Sequence, residues 1–321
     1  MTPPLPSARD GRITVAVPTL NRLDDMVAMA GSLVTQTRKP FEFIVVDAGQ
    51  GQDLEGALQR ILAGSGIELV YVRARKGLPR QRNVAIDLAR GDFVFFFDDD
   101  VELEPEYIEQ AALAFDLPFA PPVGGVMGTL TRPPAPGGKR AEIYRAFGLT
   151  NWVENGEPEL YTSGGVRFLT QPQATIPVPA LEGCRMAFRR EVFADERFLQ
   201  FLPTYCQSED VDFSHRVNRR WTLVQVPEAL LDHKVSPVGR LAFANQLHQL
   251  IYTHYHFFSR YREKTPANVA RFVLAEAGLV SLALGRQLTK GEPGLKNLGE
   301  GIGKGWRRVL RDAVGRPIEV E

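Results

Sequence analysis

Two hydrophobic periods alternate along the first third of the chain. Short apolar, β-branched runs occur at ITVAVPTL (13–20), FEFIVVDAG (41–49), IELVYVRA (67–74) and DFVFFFDDD (92–100), and each predicts a strand. Between them, 24–37, 53–63 and 78–90 carry apolar residues at helical spacing, with Asp24 and Asp53 placed as N-cap or first-turn acids. Near-continuous apolar strands alternating with helices predict a mostly parallel sheet covered on both faces. The expected architecture is therefore an open, doubly wound α/β fold, in which ligands sit beyond the carboxyl ends of the strands.

From about 119 to 179 the periodicity fades, and prolines and glycines crowd together in LPFAPPVGG, RPPAPGG and QPQATIPVP. Irregular loops are expected there, of the kind that more often serve function than merely connect elements. A second ordered block follows. CRMAFRREVF (184–193) precedes an expected helix in EDVDFSHRVNRRW (209–221) and a strand-like TLVQVPEALLDH (222–233). Helices over 241–262, 266–287 and 295–311 fill the remainder. The chain thus divides into an α/β body, 1–235, with halves at 12–118 and 119–235, and a helical C-terminal extension, 236–321.

Composition narrows the function classes. Lys and Arg total 38 against 38 Asp and Glu, a balance that argues against a general nucleic-acid binder, which needs a cationic surplus. With 44% hydrophobic and 24% charged residues, the chain can bury a core and is not disordered. The two cysteines, Cys184 and Cys206, have no CxxC spacing, so neither a zinc knuckle nor a disulfide framework is expected. Cys184 reads as a small packed apolar group. The N-terminal segment has no signal-peptide pattern, and the apolar stretch 267–285 is interrupted by Arg271 and Glu276, so no membrane span is expected. The protein reads as cytoplasmic, with peripheral attachment to the inner face of a membrane left open.

Candidate chemistry collects at strand ends. Asp98, Asp99 and Asp100 follow a Phe-rich strand directly. Adjacent carboxylates raise each other's pKa unless a cation compensates, and a hard divalent ion shared with substrate phosphates is the economical compensator. Asp47 ends a second strand, where it can accept from a ribose hydroxyl or a base N–H. Pro18, Thr19 and Asn21 close the first strand in VPTLNR. Neither GxGxxG nor GxxxxGK[ST] follows that strand, which weakens dinucleotide and P-loop readings.

VAVPTLNR, IVVDAG, GLPRQRNVAIDLARGDFVFFFDDDVELEP and SEDVDFSHRV, in this order and spacing, resemble the family 2 glycosyltransferases of GT-A fold over roughly 12–235. The resemblance implies a metal-dependent transferase that moves a sugar from a nucleotide-diphosphate donor to an acceptor hydroxyl with inversion, in polysaccharide or glycolipid synthesis. It implies that Thr19 and Asp47 hold the nucleoside, that Arg82 lies near the nucleotide, and that Asp98 and Asp100 form the DxD pair. Asp100 would be the favoured direct ligand of Mg²⁺ or Mn²⁺, with Asp99 near the ribose or diphosphate and His233 close to the metal. Asp210 would be the catalytic base, with Glu209 beside it, and Glu182 would bind acceptor hydroxyls. The implied partners are a nucleotide-sugar donor and a carbohydrate or lipid-linked acceptor. These roles suit direct displacement, which needs a base for the acceptor proton and positive charge for the departing diphosphate.

Other readings remain beside this one. A sugar-phosphate nucleotidyltransferase shares the sheet and the acidic site, but a basic Gly-rich loop after the first strand is missing. A nucleotide-sugar-binding protein without activity has no use for a base at Asp210. The second strand ends DAGQGQD rather than DNGS or DDGS, which puts the partners of Asp47 in question. Arg220 and Trp221 resemble the end of a QxxRW signature, but Val217 replaces the Gln, so Trp221 is expected to pack and Arg220 to face solvent. Arg185 and Arg189 are placed either to hold a phosphate or as solvated strand residues. His248, His254 and His256 lack i, i+4 spacing and a neighbouring carboxylate, so a metal site is not expected there. The aromatic and basic helix around Tyr252, Tyr255, Phe257, Phe258 and Tyr261 is expected by default to pack against the α/β body, while its composition, with the basic KGWRRVLR that follows, also suits a membrane surface or a homodimer contact.

Overall fold

A computed structural model of the chain describes residues 5–51, 53–134, 138–202, 206–236, 243–290 and 295–315. The first half alternates strand and helix: β1 (Ile13–Thr19), α1 (Leu23–Val34), β2 (Glu42–Asp47), α2 (Leu54–Leu62), β3 (Glu68–Arg73), α3 (Leu78–Leu88) and β4 (Phe93–Phe97). Its four strands pair in parallel in the order β4-β1-β2-β3. Asp53 caps α2 by accepting from the Gly56 N–H at 3.1 Å, and Asp24 lies in the first turn of α1.

The sheet then becomes mixed. After β5 (Val101–Leu103) and α4 (Tyr107–Leu113) come β6 (Val123–Leu130), α5 (Gly138–Ala146), β7 (Asn151–Val153), β8 (Glu159–Leu160), β9 (Val166–Leu169), β10 (Ile176–Pro177), β11 (Arg185–Arg189), α6 (Glu209–Val217) and β12 (Thr222–His233). The large sheet runs β10-β12-β6-β11-β4-β1-β2-β3, with β5 against the end of β12, while β7, β9 and β8 form a small separate sheet. β11 is antiparallel to both neighbours and joins the parallel first half to the β6–β12 pair, itself parallel. Apolar clusters cover both faces: Met29, Leu33 and Leu58 with Phe95 on one, and Ile86, Phe188 and Phe213 with Phe96 on the other.

β6 lies where loops were expected. Its three glycines depress strand propensity, yet the sheet requires them. A Cβ on Gly124 would stand 2.4 Å from Trp221, one on Gly125 2.7 Å from Leu223, and one on Gly128 2.3 Å from both Tyr107 and the Ala229 carbonyl. Arg189 is neither a phosphate ligand nor solvated. It is buried, stacks on Phe93 and Phe115, and donates to the carbonyls of Val123, Pro6 and Phe115. Trp221 packs against β6, and exposed Arg220 pairs with Asp195 at 2.5 Å.

The extension consists of α7 (Phe243–Tyr261), α8 (Pro266–Lys290) and α9 (Leu295–Ala313). The start expected at Leu241 and residues 135–137 of the Pro/Gly-rich stretch lie outside the described residues. α7 packs on α6, with the Tyr261 hydroxyl donating to Asp212 at 2.6 Å and Phe257 against His215. Two of the three histidines of α7 meet carboxylates supplied by other elements: His254 bonds Glu276 at 2.7 Å and His256 lies 3.4 Å from Asp212. Within Pro266–Thr289 an 18-residue window reaches a mean hydropathy of 1.5, so by length and composition alone this helix is long and apolar enough to cross a membrane, even with Arg271 and Glu276 in it. Glu276 does not interrupt this stretch as a free charge, because His254 meets it inside the fold.

Candidate active site

The parallel register places the ends of β1, β2 and β4 on one edge, with Thr19 opposite Asp47. Thr19 Oγ1 donates to Asp99 Oδ2 at 2.7 Å, and Arg22 donates to Asp99 Oδ1 at 2.7 Å while lying 3.2 Å from Asp100. Burial pushes Asp99 up to about 6, with Arg22 and Thr19 pulling the other way. Asp47 accepts from the Gly49 N–H at 2.6 Å and from the Tyr71 hydroxyl, and Arg73 lies 3.5 Å away. Burial, reinforced by Asp47, pushes the Tyr71 phenol up to about 12.

Two residues that the sequence did not single out hold this edge together. Gln81 Nε2 donates to the carbonyls of Thr19 at 3.1 Å and Val46 at 2.8 Å, clamping the ends of β1 and β2. Arg22 clamps two of the three aspartates. Its signal was available in VPTLNR, since a base three residues past the strand end can reach back to the strand's ligand edge.

Asp98, Asp100 and His233 form a second cluster, their ligand-type atoms all within 4.8 Å of one another. His233 reaches it because the end of β12 pairs with β5, which follows the aspartates directly. Asp100 Oδ1 is buried, 3.1 Å from His233 Nε2, and makes no well-formed hydrogen bond, while Oδ2 accepts from the Ser236 N–H at 2.8 Å. Burial alone would raise Asp100, but His233, Ser236 and Arg22 hold it at about 2. Burial opposes the charge on His233, yet Asp100, Cys184 and Asp98 raise it to about 11. Two carboxylates and an imidazole, with one buried oxygen poorly satisfied, fit a hard divalent cation.

A third cluster adjoins it. Arg82, expected near the nucleotide, is fully buried. Its guanidinium pairs with Glu209, donates to the Gly183 carbonyl at 3.1 Å and lies 3.6 Å from Asp98. Asp210, at the start of α6, accepts from the Gly183 N–H at 2.7 Å and from the Val211 N–H at 2.8 Å. Burial raises both Glu209 and Asp210, with Arg82 opposing both. Glu182 accepts from Trp152 Nε1 at 2.9 Å and from Arg185 Nε at 2.6 Å. Arg185 is buried and also donates to the Gly128 carbonyl at 2.7 Å, so it braces Glu182 instead of facing a phosphate. Cys184 is buried beside His233. The strand-end edge therefore brings together a cation site, a carboxylate of raised pKa and a braced glutamate, linked through Asp98, Arg82 and Gly183.

The family model described as glycosyl transferase family 2 matches residues 14–196. Glycosyltransferase GlyA of Streptococcus pneumoniae is 31% identical over 101 residues, 31% of this chain and 14% of that protein. The amylovoran biosynthesis glycosyltransferase AmsB of Erwinia amylovora is 30% identical over 105 residues, 32% of this chain and 35% of that protein. The chain thus matches only a minor part of either relative's length. Among solved structures, the mannosyltransferase PcManGT from Pyrobaculum calidifontis, in complex with GDP-Man and Mn²⁺, superposes with a TM-score of 0.54 at 17% identity, covering 98% of this chain and 87% of that one. S. aureus TarS 1–349 gives 0.57 at 15% identity, covering 94% and 82%. At these identities the likeness establishes the fold.

Proposed function

This chain belongs to glycosyl transferase family 2, whose model matches more than half of it, and from that membership we propose an inverting transfer of a sugar from a nucleoside diphosphate to an acceptor hydroxyl. The observation that carries this reading is the neighbourhood of Asp98, which belongs to the cation cluster and also lies 3.6 Å from the Arg82 that pairs with Glu209 beside Asp210. Donor phosphates and an acceptor proton would meet across that neighbourhood.

Thr19 and Asp47, paired at the strand ends, would hold the nucleoside, with Asp99 beside Thr19. Asp98, Asp100 and His233 would hold Mg²⁺ or Mn²⁺, which when bound supplies Lewis-acid stabilisation of the departing diphosphate. Asp210, fixed by two backbone N–H groups, takes the proton from the acceptor hydroxyl. Its raised pKa suits a base that must hold a proton in the transition state. Glu182, oriented by Trp152 and Arg185, accepts from an acceptor hydroxyl next to Asp210. Arg82 acts through Glu209 and Asp98 and is a positioning residue. The acceptor is a carbohydrate or a lipid-linked carbohydrate, in line with the polysaccharide synthesis named for one relative. Family membership does not favour the nucleotidyltransferase alternative.

The test is a thermal-shift screen of nucleoside diphosphates and nucleotide sugars with Mn²⁺, followed by transfer assays with Asp210→Asn. Specific stabilisation by one nucleotide, through mass-action linkage, identifies the donor. Asp210→Asn is expected to keep that shift and lose transfer; near-normal turnover would refute its role as base.

A further inference from the structure

The C-terminal helices carry a surface that the candidate site does not explain. Along α8, Val269, Val273, Ala277, Leu284 and Leu288 recur at three- to four-residue spacing, with Ser281 between, and all are exposed. Val273 is 58% and Leu288 84% exposed, and only 28% of the most apolar window of this helix is buried. The stripe runs along a helix of 25 residues, about 37 Å at the α-helical rise. Contiguous apolar exposure on this scale marks an interaction surface.

Charge decides what covers it. Residues 243–290 and 295–315 hold eleven Lys and Arg against four Asp and Glu, although the whole chain is neutral. The remainder carries the matching acidic excess, so the molecule is electrically two-ended. α9 shares a packed cluster with α7 and α8 through Leu298, Leu247 and Ala283, and interleaves exposed Lys304, Arg307 and Arg311 with exposed Leu310 and Val314. A second copy docking through this unit would oppose two cationic surfaces. A nucleic acid would answer the charge but has no use for an apolar stripe. A bilayer with anionic headgroups satisfies both.

We propose that α8 and α9 form a docking surface for an anionic lipid bilayer, the stripe of α8 lying in the interface and the bases of α9 meeting the headgroups. α8 also packs on the acceptor side of the protein. A Cβ on Gly278 would stand 2.2 Å from Phe147, which leads into β7 and the Trp152 that holds Glu182. Docking through α8 therefore brings that side towards the membrane, where a lipid-linked acceptor would reside. The proposal rests on the surface alone and stands or falls independently of sugar transfer.

The test is flotation of the full chain with vesicles of phosphatidylcholine alone and of phosphatidylcholine containing about one-third phosphatidylglycerol. The expected result is flotation with the anionic vesicles, weakened by salt. Val273→Asp combined with Leu288→Asp is expected to abolish it. Arg307→Glu combined with Arg311→Glu is expected to weaken it by at least about twentyfold, from roughly fivefold per basic residue near an anionic surface. All four positions are solvent-facing or partly so, and an unchanged melting temperature verifies folding. Failure to float with either vesicle, undiminished flotation of the Val273/Leu288 variant, binding to RNA without binding to vesicles, or a dimer in light scattering that this variant dissolves would each overturn the proposal.

Discussion

Arg82 and Glu209, 127 residues apart in sequence, form a buried ion pair beside the cation cluster. One guanidinium there faces Glu209, Asp98 and Asp210 together. Removing one partner of a buried pair leaves an uncompensated charge, so Arg82→Met is expected to cost about 3–5 kcal/mol of stability. Arg82→Lys keeps the charge but offers a compact head in place of the planar fork. Because the guanidinium lowers the pKa of Asp210 against the effect of burial, any weakening of that contact raises it further. The acid limb of kcat/KM should then move to higher pH in Arg82→Lys. A pH profile superimposable on the parent's would show that Arg82 serves packing only.

Asp100 should decide cation use. Asp100→Ala removes the most buried of the three clustered ligands and should abolish Mn²⁺-dependent stabilisation by a nucleoside diphosphate, while His233→Ala should weaken it at least about tenfold, some 1.4 kcal/mol. His233 is held protonated by its acidic neighbours and must lose that proton to act as a ligand. Cation-dependent nucleotide binding should consequently tighten as pH rises, with proton release measurable by calorimetry in buffers of different ionisation enthalpy. Mn²⁺-dependent affinity surviving in Asp100→Ala would remove the metal assignment.

The parallel half and its acids were legible because each β-branched run has its own period and ends on a polar residue. Asp98, Asp99, Asp100 and Thr19 are visible one strand at a time, and parallel pairing brings them to one edge. Two kinds of feature were hidden. β6 reads as loop because Gly124, Gly125 and Gly128 answer to side chains from elsewhere, Trp221, Leu223 and Tyr107, and not to local propensity. The inner roles of Arg82, Arg185 and Arg189 were hidden as well. An arginine next to an apolar strand reads as solvated until the carbonyls and carboxylates that surround it are known. The C-terminal helices were legible as helices, but the contacts His254–Glu276 and Tyr261–Asp212 join segments that no local pattern connects.

Gly128 makes that account of β6 testable. An added methyl would meet both the Tyr107 ring and the Ala229 carbonyl at 2.3 Å, and the backbone on that side belongs to the paired strand β12. Neither can withdraw without disturbing the centre of the sheet. Gly128→Ala is expected to destabilise by about 3 kcal/mol, the upper range for overpacking, or to yield insoluble protein. Gly285→Ala, on α8 with nothing within 4 Å of the added carbon, is the matched control and should be neutral or slightly stabilising. Equal melting temperatures for the two variants would contradict the packing seen here.

His215 sets the acid tolerance of the junction between α6 and α7. Its ring lies 5.1 Å from Phe257 and 4.8 Å from Tyr261. Burial, together with the nearby Arg262 and Arg219, lowers its pKa to about 4. The unfolded chain protonates this histidine near the ordinary value of about 6.5, so between the two values the unfolded state binds more protons than the folded one. Stability must therefore fall as pH drops from about 6.5 towards 4. The ring is only partly buried, which reduces the loss to about 1–2 kcal/mol, or about 2–5 °C in Tm. His215→Phe keeps an aromatic ring against Phe257 and Tyr261 and removes the titration, so its melting temperature should fall less steeply over this window. A parallel decline in parent and variant would place the acid sensitivity elsewhere, with the carboxylates of the candidate site as the next groups to examine.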